Sequence, residues 1–352
     1  MFEDLLVVDL STVLAGPSVA TFFAELGAKV IKVENKKGYD VTRSWKLPNE
    51  NKESIISAYF SSVNYKKQYI QLNLRTEEDH QDFLQLIKVA DILIMNFKHG
   101  DQEKLGLEES VLRKCNPGLI IGKISGFGKE SDRVAYDLIL QAETGFMSMN
   151  GTSESGPVKM PVAMIDVLAA HQLKEGILVA MLKLKESGKA TTVTVSLYDA
   201  AVSSLVNQAS NYLMQQHIPE RIGSLHPNIA PYGEIFTTKD NAQITFAIGS
   251  NTHFEKLCDY LQLEDLKTDI RFSDNQSRVI NRLLLQGKLQ ERIAEINADD
   301  VLKVMHNEHV PTGKIKDLKE VFENPTAQRL VREEQIYNVQ TKRVTSIAFE
   351  LS

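Results

Sequence analysis

Short apolar runs alternate with helical patterns along the N-terminal part of the chain. The strand-like runs are residues 5–10, 29–33, 70–74, 91–95, 119–124 and 191–197. The helical patterns are residues 18–26, 77–89, 167–184 and 199–216. Strands that alternate with helices predict an α/β fold with an open, mostly parallel, Rossmann-like sheet. In such a sheet, the ligand lies beyond the carboxyl ends of the strands.

Turn and cap residues support these boundaries. Pro17 is placed near the start of the first helix, Gly27 is suited to its C-terminal cap, and Thr76 opens the helix at residues 77–89. The loop after the first strand, residues 11–17, has neither the G-x-G-x-x-G pattern nor the phosphate-loop pattern. No sequence motif therefore supports binding of a dinucleotide or of ATP.

The pattern changes at residues 219–231, where three prolines and Gly223 indicate a linker. Strand-like runs at residues 232–236 and 243–248 then flank a turn, and polar amphipathic helices follow. This order predicts a smaller α+β domain. The predicted organisation is a large domain at residues 1–218, a linker at 219–231, a small domain at 232–321 and a return segment at 322–352. The tail, residues 337–349, alternates like strands.

Composition restricts the class of protein. A net charge of −6 gives no sign of nucleic-acid binding, and no apolar run reaches the length of a membrane span. Cys115 and Cys258 are too few and too widely spaced for a disulfide framework or a zinc site. We therefore expect a cytoplasmic protein without a metal, and without a nucleic-acid or membrane partner.

Asp166 is the most informative candidate residue. It is the one charge in the apolar run MPVAMIDVLAA at residues 160–170. A carboxylate in such surroundings needs donors, a helix N-terminus or a cation to replace its lost hydration. On the residues alone, an N-cap for the helix at residues 167–184 is the favoured interpretation, and a catalytic carboxylate is the alternative.

Several motifs follow one another in a family order. They are VLAGP at 13–17, LGAKVIKVE at 26–34, GYD at 38–40, LNL at 72–74, NF at 96–97, NP at 116–117, SGFG at 125–128, YD at 136–137, SLYD at 196–199 and PNIAPY at 227–232. Together they resemble the class III CoA-transferases, which include formyl-CoA transferase, carnitine CoA-transferase and the related α-methylacyl-CoA racemases. The resemblance spans roughly residues 5–260.

The resemblance reverses the interpretation of Asp166, because that family's covalent nucleophile is an aspartate at this place. It implies transfer of CoA between an acyl-CoA and a carboxylic acid, with CoA esters as substrates and no tightly bound cofactor. It also implies a homodimer of two interlocked, threaded chains. Here the linker at 219–231 and the return segment would supply the threading.

The resemblance also implies a CoA site. One group would line the adenine or pantetheine path, and a second would hold the nucleotide, where Arg75 and Lys104 suit phosphate oxygens. Asn35 stands where a relative carries arginine, and Lys36 adjoins it. The first group is Val13, Leu14 and Ala15, and the second is Leu72, Arg75, Asn96, Phe97 and Lys104. Without the resemblance, Arg75 and Lys104 are ordinary surface cations.

Tyr136 and Asp137 bear on the branch of the family. The racemases carry a histidine and aspartate pair in this segment, since a proton must be moved between two faces of a carbon. Tyrosine at 136 favours a transferase, while Asp137 is also compatible with a structural helix cap. A racemase and a CoA-binding paralogue without turnover stay as alternatives. The second is kept open because no glycine-rich loop is visible between Val202 and Phe246.

Overall fold

The computed structural model describes residues 1–351. The chain forms two compact units, each with its own hydrophobic core. The first comprises Met1–Met149, Val158–Pro219 and the described residues from Gln328 onward, and the second comprises Asn150–Pro157 and Glu220–Ala327. Residues 150–157, assigned above to the large domain, thus belong to the second unit. The domain organisation predicted from the sequence stays a prediction.

The first unit is built on a six-stranded parallel sheet in the order β3-β2-β1-β4-β5-β6. Its strands are β1 Leu6–Leu10, β2 Lys29–Glu34, β3 Lys67–Gln71, β4 Ile92–Met95, β5 Ile120–Ser125 and β6 Thr192–Ser196. The strand order reverses between β1 and β4, so the loops that follow these two strands diverge and leave a crevice. The predicted α/β class with a Rossmann-like sheet is confirmed.

Helices cover both faces of this sheet. Successive strand residues point to opposite faces, so Ile92 packs in the core cluster that contains α1 and α8, and Leu93 packs in the cluster that contains α3 and α5. A 3-10 helix spans Val41–Ser44. The helices are α1 Ala15–Glu25, α2 Ala58–Ser62, α3 Glu77–Val89, α4 Asp101–Lys104, α5 Glu109–Cys115, α6 Asp137–Glu143, α7 Phe146–Met149, α8 Met164–Ser187, α9 Leu197–Ser203 and α10 Val206–Gln215.

The second unit is α+β. Its three antiparallel strands lie in the order β9-β8-β7, and Phe236 and Phe246 anchor the core between the strands and the helices. The strands are β7 Tyr232–Thr237, β8 Gln243–Ala247 and β9 Thr312–Lys314, and short strands Gly151–Thr152 and Gly156–Pro157 pair separately. The helices are α11 Asn251–Leu261, α12 Glu264–Thr268, α13 Asn275–Ile280, α14 Arg282–Ile293, α15 Ala298–Asn307 and α16 Leu318–Phe322.

The end of the chain packs on the first unit. After α17 Pro325–Arg329, strands β10 Val331–Ile336 and β11 Val339–Val344 form a hairpin. Its residue Arg343 pairs with Glu25 at 2.6 Å and donates to the Ser62 carbonyl. The predicted strand-like tail is therefore real but begins earlier, because the alternation at residues 331–336 is masked by charged residues on its exposed face.

Other boundaries also differ from the predictions. The helix predicted at residues 199–216 is two helices, because Ser204 and Leu205 interrupt it and Val206 has a φ of 44°. The first helix begins at Ala15, so Pro17 lies in its first turn. The strand predicted at residues 70–74 is β3, three residues earlier, because its pairing partner β2 fixes the register.

Candidate active site

A cavity of about 460 Å³ opens at the crevice where the strand order reverses. The loops after β1, β4 and β5 line it, through residues that include Val13, Asn96, Phe97 and Tyr136. Five basic side chains also line it: Lys98, His99, Lys123, Lys129 and Arg133. The cavity thus combines apolar walls with cations, a combination suited to a long ligand that carries phosphates.

The cations of the cavity are not equivalent. Arg133 pairs with Glu143 and stacks on the Phe127 ring at 3.8 Å, and Lys123 lies 3.8 Å from Glu109. Lys98 and Lys129 are exposed and form no ion pair within residues 1–351. Sequence reasoning missed both. The rule that ligands lie beyond the strand ends points to them, since they follow β4 and β5.

The CoA-binding residues predicted from the sequence lie in several separate places in the structure. Val13, Asn96 and Phe97 reach the cavity, with Leu14 and Ala15 directly after Val13 at the start of α1. Arg75 and Lys104 instead line a separate depression of about 610 Å³, together with His80. Lys104 pairs there with Asp101 at 2.8 Å.

The remaining predicted CoA residues have local roles. Leu72 packs against the core on the α3 face of the sheet. Lys36 pairs with Asp79 at 2.6 Å, and the Asn35 side chain accepts from the backbone N–H of Lys37. None of these three lines the cavity at the crevice.

Asp166 is the third residue of α8, so the N-cap interpretation from its position alone is wrong. The helix begins at Met164 after Ala163, one turn earlier than the pattern indicated. The Asp166 side chain makes no hydrogen bond or ion pair to any other described residue, and only 8% of the residue is exposed. Burial, and then the negative charge of Asp137, raise the pKa of Asp166 to about 7.

Asp137 replaces the missing N-cap of α8. One of its carboxylate oxygens accepts the backbone N–H of Ile165 at 2.7 Å, and the other accepts from the Gln141 amide at 2.6 Å. A carboxylate at a helix N-terminus satisfies an N–H that has no partner within the helix. Tyr136, beside it, is half exposed and lines the cavity. The two sequence candidates thus lie at one corner, with Asp137 bound to α8 beside Asp166.

Tyr59 is a further side chain at this corner that sequence reasoning missed. Burial, and then the charges of Asp166, Asp137 and Asp40, raise the pKa of Tyr59 to about 12. Trp45 packs edge-on against its ring at a centroid distance of 5.0 Å. No local pattern marks Tyr59, which lies on the five-residue helix α2. His171, one turn beyond Asp166, is exposed on α8.

Two structural features are absent from residues 1–351. These residues contain no group of three or more histidine, cysteine, aspartate or glutamate side chains arranged to hold a metal ion. No helix among them is both long enough and apolar enough to cross a membrane.

Comparison with known proteins identifies the family. The model of CoA-transferase family III matches residues 2–351. The succinate–glutarate CoA-transferase of Agrobacterium fabrum is 34% identical over 92% of this chain and 82% of its own. The acetyl-CoA:oxalate CoA-transferase of Acetobacter aceti is 34% identical over 93% and 84%. A solved CAIB/BAIF family protein from Brucella suis superposes with a TM-score of 0.87, at 33% identity, over 99% of this chain and 92% of that protein. The chain therefore belongs to CoA-transferase family III and is an enzyme of that class.

Proposed function

We propose that this enzyme moves CoA between an acyl-CoA and a carboxylic acid with Asp166 as covalent nucleophile. The Asp166 carboxylate attacks the thioester carbonyl, and collapse of the tetrahedral oxyanion expels CoA thiolate and leaves a mixed anhydride. The thiolate then attacks the aspartyl carbonyl, which releases the first acid and forms an aspartyl-CoA thioester. The acceptor acid takes the CoA by the reverse sequence and regenerates Asp166.

The state of the Asp166 carboxylate carries this proposal. It is buried, it has no partner among the described residues, and it lies in the first turn of α8. Burial removes water that would stabilise an unreactive anion, while the helix N-terminus favours the ionised form. A carboxylate kept for structure would instead be expected to have donors or a cation beside it, as Asp9 and Glu34 do.

The pH dependence of transfer follows from that pKa. Only ionised Asp166 attacks, and its pKa is raised to about 7, so kcat/KM should fall as the pH drops through about 7. Asp137→Asn removes the nearby negative charge and should move this fall to lower pH. Asp199→Asn, an exposed aspartate at the third position of α9, is the matched control and should not move it. A wild-type fall centred near pH 4 would contradict the raised pKa.

The CoA phosphates have two candidate sites. The resemblance favours Arg75 and Lys104, whereas the cavity at the crevice offers Lys98 and Lys129. We propose that the CoA pantetheine follows Val13–Ala15 into that cavity. The resemblance implies that Leu72 and the residues at 35–36 lie near the nucleotide. Each site predicts a different pair of sensitive lysine or arginine positions.

Alanine variants at the four cations distinguish the two sites. Loss of a phosphate contact should raise KM for the CoA ester roughly tenfold, the lower end of about 1.5 to 3 kcal/mol for a charged hydrogen bond, because these groups are exposed. The pair that raises KM identifies the phosphate site, and dephospho-CoA shows which cation meets the 3′-phosphate. Wild-type KM in all four variants would show that none of the four residues contacts a CoA phosphate and that all are ordinary surface cations.

We propose short dicarboxylic acids as the acceptors. The relatives are named for succinate and glutarate, for oxalate and, at 32% identity in Haloarcula marismortui, for mesaconate, and each of these is a dicarboxylic acid. The pairing of one acyl-CoA with one acid is tested by incubating the enzyme with matched sets of CoA esters and acids and reading the new CoA ester by mass spectrometry. Transfer only to monocarboxylic acids would contradict the proposal.

We also propose a cytoplasmic, interlocked homodimer. Leu213 and Met214 of α10, and Ile218 three residues after its end, are each more than 70% exposed in the single chain. An apolar face of this kind needs a covering surface. Cys115 and Cys258 are free thiols, as expected in a reducing compartment.

Threaded chains cannot separate without unfolding. Dilution to nanomolar concentration should therefore leave the dimer intact, and the unfolding temperature should rise with protein concentration. Analytical ultracentrifugation is the measurement. A compact folded monomer of 39.5 kDa would contradict the interlocked dimer.

A further inference from the structure

Three consecutive residues of the loop after β1 are each held by a side chain from a distant part of the chain. The Ser11 carbonyl accepts from the Lys32 ammonium at 2.8 Å. Thr12 exchanges two hydrogen bonds with the amide of Asn96, its N–H donating at 3.0 Å and its carbonyl accepting at 2.8 Å. The Val13 N–H points between both oxygens of Asp40, at 3.2 and 3.4 Å. The Ser11 N–H and hydroxyl also donate locally to Asp9, but Thr12 and Val13 are fixed by long-range contacts.

Val13 needs such support because of its backbone. Its φ is 72°, in the left-handed region, where a β-branched side chain is strained and glycine is not. Residues in this region persist only where the surroundings impose the conformation. Asp40 is the group that meets the Val13 N–H directly.

Asp40 is itself held rigidly in the protein interior. It accepts the Thr42 N–H at 3.1 Å and the Thr42 hydroxyl at 2.7 Å, and it pairs with Lys32 at 3.2 Å. The side chains of Asp40 and Lys32 are both fully buried. Neither can therefore touch a ligand in the cavity, and any effect on the reaction must pass through the loop.

The ion pair extends into a longer row of buried charges. Lys32 lies 3.7 Å from Asp9, and Asp9 pairs with Lys67 at 2.8 Å. The row Asp40, Lys32, Asp9 and Lys67 alternates in sign, so each charge is compensated without water. It anchors the acceptor for Val13 to the strands β1, β2 and β3.

We infer that Asp40, held by Lys32, is a positioning residue that sets the conformation of Val13 and thereby the CoA-binding path along Val13–Ala15. The inference rests on the proposed path of CoA along these three residues. Val13 lines the cavity, and its φ determines where Leu14 and the first turn of α1 point. Release of Val13 from Asp40 lets the loop relax, so that less of the enzyme has the binding conformation at any time.

The test uses a rescue that only this role allows. Asp40→Ala should raise KM for the CoA ester about tenfold, because only about a tenth of the enzyme would then have the binding conformation of the loop. KM for the acceptor acid should stay unchanged. Adding Val13→Gly should restore most of the affinity, because glycine adopts a positive φ without support. Val13→Gly alone, measured beside wild type, Asp40→Ala and the double variant, completes a double-mutant cycle.

Glu25→Ala is the matched control. Glu25 also pairs with a buried cation, Arg343, and also accepts a backbone N–H, that of Ser346, but it does not touch the loop. It should lower the unfolding temperature and leave both KM values unchanged. If Asp40→Ala does not fold, Asp40→Asn takes its place, since it keeps an oxygen for Val13 but loses the ion pair, and a partial rise in KM is expected.

Two results would overturn the inference: Asp40 variants with wild-type KM, or a double variant with Val13→Gly no better than the Asp40 variant alone. These are distinct from failure of the proposed mechanism. Wild-type enzyme that binds CoA ester by calorimetry but transfers nothing would refute the Asp166 mechanism, while the same cycle read in calorimetric affinity would still decide the role of Asp40.

Discussion

Asp166→Asn should lower CoA transfer by at least about a thousandfold while leaving CoA affinity within about tenfold. The reason is that a nucleophile acts on the chemical step, whereas the proposed contacts that hold the ester are made by other residues. Asparagine keeps the size of the side chain and removes the attacking oxygen anion. Steady-state transfer between an acyl-CoA and an acid, together with CoA affinity from calorimetry, measures the two effects separately.

Asp199→Asn is the control for this substitution. Asp199 occupies the same third position of its helix, α9, but is exposed. It tests whether loss of any carboxylate in a first helical turn is enough to disturb the enzyme. Near wild-type transfer by Asp166→Asn, or equal losses in both variants, would contradict the role given to Asp166.

Lys67→Ala should lower the free energy of unfolding by about 3–5 kcal/mol, because it leaves Asp9 as a buried charge with one partner fewer. The Lys67 ammonium donates to Asp9 at 2.8 Å, and to the carbonyls of Pro17 and Val63 and the side chain of Asn64 at 2.9 Å. Burial lowers the pKa of Lys67 to about 8, although Asp9 opposes the shift. Urea unfolding at neutral pH measures the loss.

The double variant Asp9→Asn with Lys67→Met is the control for that loss. It removes both charges and should recover part of the stability, since Lys32 keeps Asp40 as its partner. The ion pair between Asp9 and Lys67 should also weaken in acid. Burial opposes ionisation of Asp9, but Lys32 and Lys67 hold its pKa at about 2. Ionised Asp9 therefore contributes fully to the free energy of unfolding above about pH 4, and this contribution is lost as the pH falls towards 2. Lys67→Ala within about 1 kcal/mol of wild type would contradict this account.

The sheet could be predicted from local patterns because most of its strands are marked by consecutive apolar residues. Ile92, Leu93 and Ile94 are apolar in succession, as expected for a parallel strand that is covered on both faces. Thr76 and the acidic residues after it similarly mark the start of α3, which the structure confirms. Such signals lie within a few residues of one another, so a single sequence contains them.

The candidate site depends on contacts that no local pattern contains. Asp137 caps α8 from 28 residues away, through the Ile165 N–H, and this contact is why the helix begins before Asp166 instead of at it. Tyr59 reaches the same corner from α2, which lies between β2 and β3 in the chain. Distant segments meet only after folding, and the pKa values at the site arise from that meeting.

Trapping of the covalent intermediate tests the central claim most directly. The enzyme is mixed with an acyl-CoA in the presence of hydroxylamine, digested and analysed by peptide mass spectrometry. An activated aspartyl carbonyl, whether anhydride or thioester, should react to give a hydroxamate at Asp166, and none should form without acyl-CoA or in Asp166→Asn. Transfer of CoA at full rate with Asp166 unmodified would contradict the mechanism, as would a hydroxamate at a different carboxylate.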